Sequence, residues 1–148
     1  MAGELMGLDA YVNTFGAVCK AKYGERLRKL TIDAKFTCPN RDGTLGRGGC
    51  TFCNVASFSY QQTETLSISE QLEQGKARYK EAKPKLNADK FIAYFQAYTS
   101  TYDEYQVLMA KYDEAVKDSE IVGLCVGTRP DCVPDNVLDL FCLLYTSP

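Results

Sequence analysis

Three cysteines in a glycine-rich segment are the residues of this chain best suited to chemistry. Cys38, Cys50 and Cys53 are spaced C-x11-C-x2-C within the stretch FTCPNRDGTLGRGGCTFCN. The close pair can bind one metal centre from a tight turn, and the long arm before it lets Cys38 fold back to the pair. Four glycines lie in the same segment: Gly43, Gly46, Gly48 and Gly49. We expect them to let the backbone approach such a centre and to offer N–H groups to its sulfurs.

The residues alone leave three kinds of centre open. A closed zinc site takes four cysteine or histidine ligands, and the chain has no histidine, so a zinc-stabilised binding module would need Cys132 as its fourth thiolate. A redox pair of thioredoxin type at Cys50 and Cys53 usually opens a helix, whereas the following NVASFS is a poor helix start. A [4Fe–4S] cluster on three thiolates leaves one iron open to a ligand, and an open site implies chemistry.

Composition and charge bound the class of protein. The chain has 148 residues, of which 45% are hydrophobic and 24% charged, as expected for one soluble globular domain. It has no export signal and no run able to cross a bilayer, so we expect a cytoplasmic protein with reduced cysteines and no membrane partner. The basic run from Lys76 to Lys90 also contains acids, and we interpret it as a solvated helix face and not as a nucleic-acid patch.

Hydrophobic periodicity predicts a helix followed by three strand and helix pairs, which indicates an α/β fold with parallel strands. Ser67 with Glu70, and Thr101 with Glu104, are expected to form capping boxes at the second and third helices. Pro134 is expected at the first position of the fourth helix. The expected helices are about 9–23, 68–83, 105–116 and 134–141, and the expected strands are 27–33, 91–96 and 121–126.

Loops that leave the carboxyl ends of parallel strands meet at one edge of a sheet, where α/β proteins bind ligands. The cysteine loop, running to about Thr65, follows the first strand, and Ala97–Ser100 and Gly127–Asp131 follow the second and third. We therefore expect all three loops to converge. Cys19 and Cys125 fall on apolar faces and are expected in the core.

A family resemblance rests on these motifs. Three cysteines after the first strand of a (β/α) series, with Phe52 just before the last of them, resemble the radical S-adenosylmethionine (radical SAM) superfamily, although its commonest pattern, C-x3-C-x-aromatic-C, has a shorter first gap. The long gap, with the TRPD motif at residues 128–131, resembles the branch that includes the catalytic subunit of Elongator. The stretches LTIDAKFTCPNRDGTLGRGGCTFCNVASF, YFQAYTSTY and GLCVGTRPDCVPD are similar to YhcC-type radical SAM proteins, up to about Leu140.

The resemblance implies a fold, cofactors and partners. It implies the N-terminal half of a partial (β/α)6 radical SAM barrel, with Cys38, Cys50 and Cys53 each ligating one iron of a [4Fe–4S] cluster. The open iron would bind SAM, and one electron from a donor such as flavodoxin or ferredoxin would generate a 5′-deoxyadenosyl radical. The substrate is not indicated; tRNA, and hence RNA modification, enters only by analogy with Elongator. Residues implied in SAM binding are Phe52, Gln96, Thr128, Arg129 and Asp131, with an Arg129–Asp131 pair bracing the turn at Pro130 as the alternative for the last two.

The resemblance also implies boundaries. Residues 1–141 would be the N-terminal part of a truncated radical SAM core domain, and residues 142–148 a non-native or disordered tail. A fragment with three of the strands is expected to bind a cluster weakly, to turn nothing over, and to aggregate through its open sheet edge.

Overall fold

The computed structural model describes residues 7–54, 66–83 and 89–146 of the chain. Helices and strands alternate along these residues, which confirms the α/β class expected from the sequence. Residues 55–65, where the end of the cysteine loop was expected, and residues 84–88, within the basic run, lie outside the described part. The elements are a 3₁₀ turn Leu8–Ala10, α1 Phe15–Tyr23, β1 Arg28–Ile32, α2 Ile68–Ala82, β2 Phe91–Phe95, α3 Tyr105–Val116, β3 Ile121–Val126, a 3₁₀ turn Pro130–Cys132 and α4 Asp135–Thr146.

The three strands form a parallel sheet in the order β1-β2-β3, with β2 in the centre. Leu30 pairs with Ala93, which in turn pairs with Leu124. One irregularity between Phe91 and Ile92 shifts the register against β3. Because the strands are parallel, their carboxyl ends all lie at the same edge, and the loops that follow them leave together.

The two faces of the sheet carry different cores. Side chains that alternate along the strands, such as Ile32, Ala93 and Phe95, pack with α2, α3 and α4 in the larger cluster. The opposite face holds a smaller cluster in which Cys19 of α1 packs with Leu27 and Ile92. Cys125 is half-buried and packs against this smaller cluster, so the expected core positions of both cysteines are confirmed.

The first helix is shorter than expected. Its end at Tyr23 is confirmed, with Gly24 in a left-handed conformation at φ 81°, but its start near residue 9 is wrong. The Thr14 hydroxyl accepts the N–H of Ala17 and begins the helix at Phe15, since a side-chain cap fixes the first turn locally. Within α1 only Cys19 is buried, and Phe15 is 52% exposed.

The capping boxes had different outcomes. The box of Ser67 and Glu70 is formed at α2 and is confirmed. The prediction of a capping box at Thr101 and Glu104 is wrong, because α3 begins at Tyr105 and Glu104 is itself the N-cap residue. Thr101 is buried instead, and its hydroxyl donates to the carbonyl of Cys132.

The last helix extends through residues for which a tail was expected. Residues 142–146 continue α4 and are helical, and the non-native origin of the segment stays a prediction. Pro134 lies one position before the helix, where its carbonyl accepts the N–H groups of Val137 and Leu138. Within the described ranges, no helix has the length and apolar character needed to span a bilayer.

A buried ion-pair cluster fastens α2 to the amino edge of the sheet. Lys76 is only 5% exposed, and its ammonium lies 2.7 Å from a carboxylate oxygen of Asp118 and 2.7 Å from one of Glu120, just before β3. It also lies 2.6 Å from Glu73. Burial disfavours the charge, but hydrogen bonds to Asp118, Glu120 and Glu73 outweigh this and raise the pKa of Lys76. The interpretation of Lys76 as part of a solvated face is therefore wrong.

Removing this ammonium should destabilise the fold. Lys76→Ala leaves the carboxylates of Asp118 and Glu120 close together without the Lys76 ammonium between them. We expect the free energy of unfolding to fall by about 2–3 kcal/mol. This is less than the roughly 3–5 kcal/mol lost when a fully buried pair is broken, because both acids retain some exposure. Urea denaturation measures it. The control Lys80→Ala, at a side chain 57% exposed and 3.7 Å from Glu120, should cost less than about 1 kcal/mol. Equal losses in the two variants would contradict the assignment.

Candidate metal centre at the carboxyl edge of the sheet

Backbone hydrogen bonds draw the three loops together at the carboxyl edge. The N–H of Thr99, after β2, donates to the carbonyl of Thr37 in the cysteine loop over 3.2 Å. The N–H of Gly127, after β3, donates to the carbonyl of Phe95 over 2.8 Å, and Ser100 donates to Gly127 over 3.0 Å. The predicted convergence of the loops is therefore confirmed for the described residues.

The long gap between the first two cysteines folds back on itself as a small hairpin. Asp42 and Arg47 pair in an antiparallel bridge, and the N–H of Gly43 donates to the carbonyl of Gly46 over 3.0 Å. Below this hairpin, the N–H of Gly49 donates to the carbonyl of Asn40, also over 3.0 Å. Eleven intervening residues therefore return the chain almost to the position where it left Cys38.

The hairpin places the second cysteine beside the start of the loop. The Asn40 amide nitrogen, two residues after Cys38, donates to the sulfur of Cys50 over 3.1 Å. One turn further on, the N–H of Cys53 donates to the carbonyl of Cys50 over 3.0 Å. Cys38 and Cys50 are half-buried, while Cys53 is exposed. All three thiols therefore belong to one compact loop.

The spacing of the sulfurs can be compared with what each candidate centre requires. Throughout residues 7–54, 66–83 and 89–146, ligand atoms of three Cys, Asp or Glu side chains lie within 4.8 Å of one another only at Glu73, Asp118 and Glu120, where the Lys76 ammonium lies among the carboxylates. At least one pair of sulfurs among Cys38, Cys50 and Cys53 is therefore more than 4.8 Å apart. One zinc ion with Zn–S bonds of about 2.3 Å would hold its thiolates roughly 3.8 Å apart. A cluster ligates each thiolate through a different iron and accommodates a wider spacing.

Two side-chain contacts hold the cysteine loop on the loop after β2. The Arg41 guanidinium lies 4.6 Å from the centre of the Tyr98 ring, a cation–π distance, and Tyr98 itself has a positive φ of 58°. The Thr44 and Tyr102 hydroxyls lie 3.0 Å apart. Both contacts reach across from the hairpin to the segment that follows β2. The position of the cysteines therefore depends on that second loop.

Consecutive glycines shape the approach to Cys50. Gly48 and Gly49 have φ values of 83° and 84°, in the left-handed region where a side chain is strained. A Cβ on Gly49 would also lie 3.2 Å from a guanidinium nitrogen of Arg41. The run of glycines is thus used for the turn that brings the chain back to Asn40. Its expected N–H donation to a bound centre stays a prediction.

The residues implied in SAM binding are spread over the edge. Phe52 is 87% exposed beside Cys53, and Gln96 is half-buried where β2 ends. Arg129 and Asp131 form a two-pronged ion pair, with N–O distances of 2.9 and 2.7 Å, so the bracing arrangement at Pro130 is present. The hydrogen bonds from Arg129 lower the pKa of Asp131 and keep it ionised. Arg129 is also close enough to Cys38 for a thiolate there to favour its charge.

Polar residues directly after β2 were missed as site residues. Thr99, Ser100 and Thr101 are all at most 4% exposed, and the Thr101 hydroxyl contacts the hydroxyl of Thr128 as well as the Cys132 carbonyl. Tyr112 donates to the carbonyl of Ser100 from α3. A run of three hydroxyl residues in the loop after a buried strand was the available signal, but Thr99 and Ser100 were assigned only to that loop, and Thr101 was interpreted as a helix cap.

A cleft of about 650 Å³ opens between these loops. This volume is in the range of sites for small molecules and cofactors. Cys132, at its wall, lies with its sulfur 3.8 Å from a carboxylate oxygen of Asp131. Burial, and then the charge of Asp131, raise the pKa of Cys132. The cleft is lined by Thr37, Thr101, Tyr102, Asp103, Glu104, Asp131, Cys132, Val133 and Pro134.

Comparison with known proteins finds relatives that are longer than this chain. It is 55% identical over 137 residues to Protein YhcC of Escherichia coli strain K12, covering 93% of this chain but 42% of that protein. It is 41% identical over 118 residues to Uncharacterized protein YtqA of Bacillus subtilis strain 168, covering 79% of this chain and 36% of that protein. Uncharacterized protein MJ0486 of Methanocaldococcus jannaschii is 29% identical over 130 residues, which are 85% of this chain and 38% of that protein.

These names state no activity or ligand, so the radical SAM resemblance stays a prediction. No protein-family model matches the chain. No solved structure matches it at a significant level. The chain spans roughly two fifths of the length of the relatives described, so the activity of a whole protein of this kind is a matter for proposal.

Replacing one glycine should open the cysteine loop. Gly49→Ala adds a Cβ at a positive φ and close to Arg41, and we expect a local cost of about 1–2 kcal/mol. This cost should raise trypsin cleavage after Arg41 and Arg47 by about 5- to 30-fold. The matched control is Gly24→Ala, at a φ of 81° outside the loop with no atom within 4 Å, which should leave cleavage at these two arginines unchanged. Equal cleavage in wild type and Gly49→Ala would show that the turn does not hold the loop.

Proposed function

We propose that this chain is the N-terminal part of a radical SAM enzyme. Cys38, Cys50 and Cys53 would hold a [4Fe–4S] cluster, and S-adenosylmethionine would bind at its open iron. The observation that carries the proposal is the closed C-x11-C gap, in which Asn40 reaches the sulfur of Cys50 and Cys53 follows within one turn. A spacing that is unusual in the sequence thus produces one compact three-thiol loop.

The donor set fits a cluster better than a single ion. Three soft thiolates suit iron–sulfur chemistry, and the chain contains no histidine that could complete a four-ligand zinc site. Cys53 is the exposed member of the set, whereas Cys38 and Cys50 lie against protein. The loop therefore has a protein side and an open side, as a site with one exchangeable position requires.

The cofactors carry the chemistry, and the residues of the chain position them. When bound, the cluster supplies one electron that cleaves SAM to methionine and a 5′-deoxyadenosyl radical, which abstracts a hydrogen atom from a substrate. Arg129 supplies a fixed positive charge at the edge, and its pair with Asp131 keeps the guanidinium oriented. The buried Thr101 contacts the hydroxyl of Thr128, which links the loops after β2 and β3.

The fold supports the proposal through its strand order. Three parallel strands in sequential order, each followed by a helix, are the arrangement with which a (β/α) barrel begins. In the longer relatives, the remaining residues would complete a partial barrel and carry most of the contacts to substrate. We assign to this segment the cofactor loop and one wall of the cleft.

Anaerobic reconstitution of a full-length relative, such as the Escherichia coli protein, tests the cluster. We expect about four iron and four sulfide per chain, with an EPR signal on reduction, because three thiolates bind one cubane. Alanine at the positions of Cys38, Cys50 or Cys53 should each reduce the iron content severalfold or more. Full-length protein that binds no iron and sulfide would sink the proposal.

Cys132 separates the cluster from the rival zinc module. The cluster uses three thiolates, so Cys132→Ala should leave iron and sulfide unchanged. A zinc site of Cys38, Cys50, Cys53 and Cys132 would instead lose its metal in the same variant, because structural zinc takes four ligands. Metal analysis of Cys132→Ala after expression with iron and zinc distinguishes the two outcomes.

A further inference from the structure

The Asn40 side-chain amide touches a predicted cluster ligand directly. Its nitrogen donates to the Cys50 sulfur over 3.1 Å, in a half-buried position. Asn40 was not among the site residues expected from the sequence. The contact joins the first arm of the cysteine loop to the second cysteine across the base of the hairpin.

The backbone around Asn40 holds this side chain in place. Its own carbonyl accepts the N–H of Gly49 over 3.0 Å, and the carbonyl of Pro39 accepts the N–H groups of Leu45 and Gly46 over 2.8 and 3.1 Å. Pro39 is buried and has a restricted φ. These bonds are made by main-chain atoms, so they survive a change of the Asn40 side chain. The amide is thus a replaceable donor on a fixed support.

We propose that Asn40 is a positioning residue that raises the reduction potential of the cluster by hydrogen bonding to the Cys50 sulfur. This inference rests on the proposed function. An N–H donor at a ligating thiolate draws electron density from the sulfur and stabilises the more negatively charged, reduced state. The effect is specific to one of the three ligands, so the iron on Cys50 becomes distinct from those on Cys38 and Cys53. Asn40 touches a ligand and not the substrate.

A purely structural role makes a different prediction. If Asn40 only closed the loop, its replacement would lower the amount of cluster bound and leave the potential of the remaining cluster unchanged. If it tunes the sulfur, replacement keeps the iron and moves the potential. Iron content and potential, measured on the same samples, therefore distinguish the two roles.

The experiment uses full-length protein with the Asn40 position changed to Ala or Asp. Asn40→Ala removes the donor, and Asn40→Asp keeps the size but replaces the donor with a carboxylate. The control Leu45→Ala lies in the same loop at a side chain that is 63% exposed, and it removes no polar group. The readout is the midpoint potential of the reconstituted cluster from an EPR-monitored redox titration, with iron and sulfide analysis of each sample.

We expect full iron in all four proteins and no shift of the potential in Leu45→Ala. The potential should shift to more negative values in Asn40→Ala, and further in Asn40→Asp because of its added charge. Unchanged potentials in both Asn40 variants overturn the inference while leaving the proposed function intact. Loss of iron in both Asn40 variants, with full iron in Leu45→Ala, assigns Asn40 to loop closure and also overturns it. Absence of a cluster in the wild-type protein refutes the proposed function and the inference together.

Discussion

The hydrogen bonds at the end of the central strand are the interaction on which the rest of the site depends. Strand β2 pairs with both neighbouring strands. In the loop after β2, the N–H of Thr99 donates to the carbonyl of Thr37, and the N–H of Ser100 donates to the carbonyl of Gly127. Each buried backbone group needs a partner, so the three loops cannot separate without leaving donors and acceptors unpaired. A cysteine loop on one strand is thus held by atoms of all three.

The cysteine loop is built from two different kinds of constraint. Its internal shape comes from main-chain bonds and from the left-handed conformations of Gly48 and Gly49, which need no contact with the rest of the protein. Its position comes from outside, through Arg41 on Tyr98 and Thr44 on Tyr102. The first constraint brings the thiols together, and the second holds the loop against the segment that follows β2. Without the first constraint the loop would lose its internal conformation, and without the second it would lose its position on the sheet.

The two edges of the sheet carry different clusters of charged groups. At the amino edge, the Lys76 ammonium lies within 2.7 Å of carboxylate oxygens of Glu73, Asp118 and Glu120. At the carboxyl edge, the ion pair of Arg129 and Asp131 is partly exposed, and the Asn40 amide contacts the sulfur of Cys50 in the cysteine loop. The first cluster fastens α2 to the sheet, whereas the second braces the turn at Pro130.

Much of the architecture could be predicted because it depends on local patterns. The strand at 121–126 and the capping box of Ser67 and Glu70 follow from alternation, from apolar runs and from side chains that bond within one turn. Two of the wrong predictions, the start of α1 and the role of Thr101, have a local cause as well. The start of α1 was missed because Thr14 caps the helix, and Thr101 was misassigned because a threonine three residues before a glutamate looks the same whether it caps a helix or is buried.

The sequence by itself determined the α/β class, the three-cysteine motif and the edge at which that motif lies, because these depend on residue type, spacing and the common direction of parallel strands. Only the tertiary structure decided that the eleven-residue gap closes as a hairpin, that Asn40 meets the Cys50 sulfur and that Lys76 is buried between Asp118 and Glu120. The hairpin bridge joins Asp42 and Arg47, five positions apart, whereas the contacts of Asn40 and Lys76 join residues ten or more positions apart. No local propensity encodes such contacts, since they form only when packing brings distant segments together.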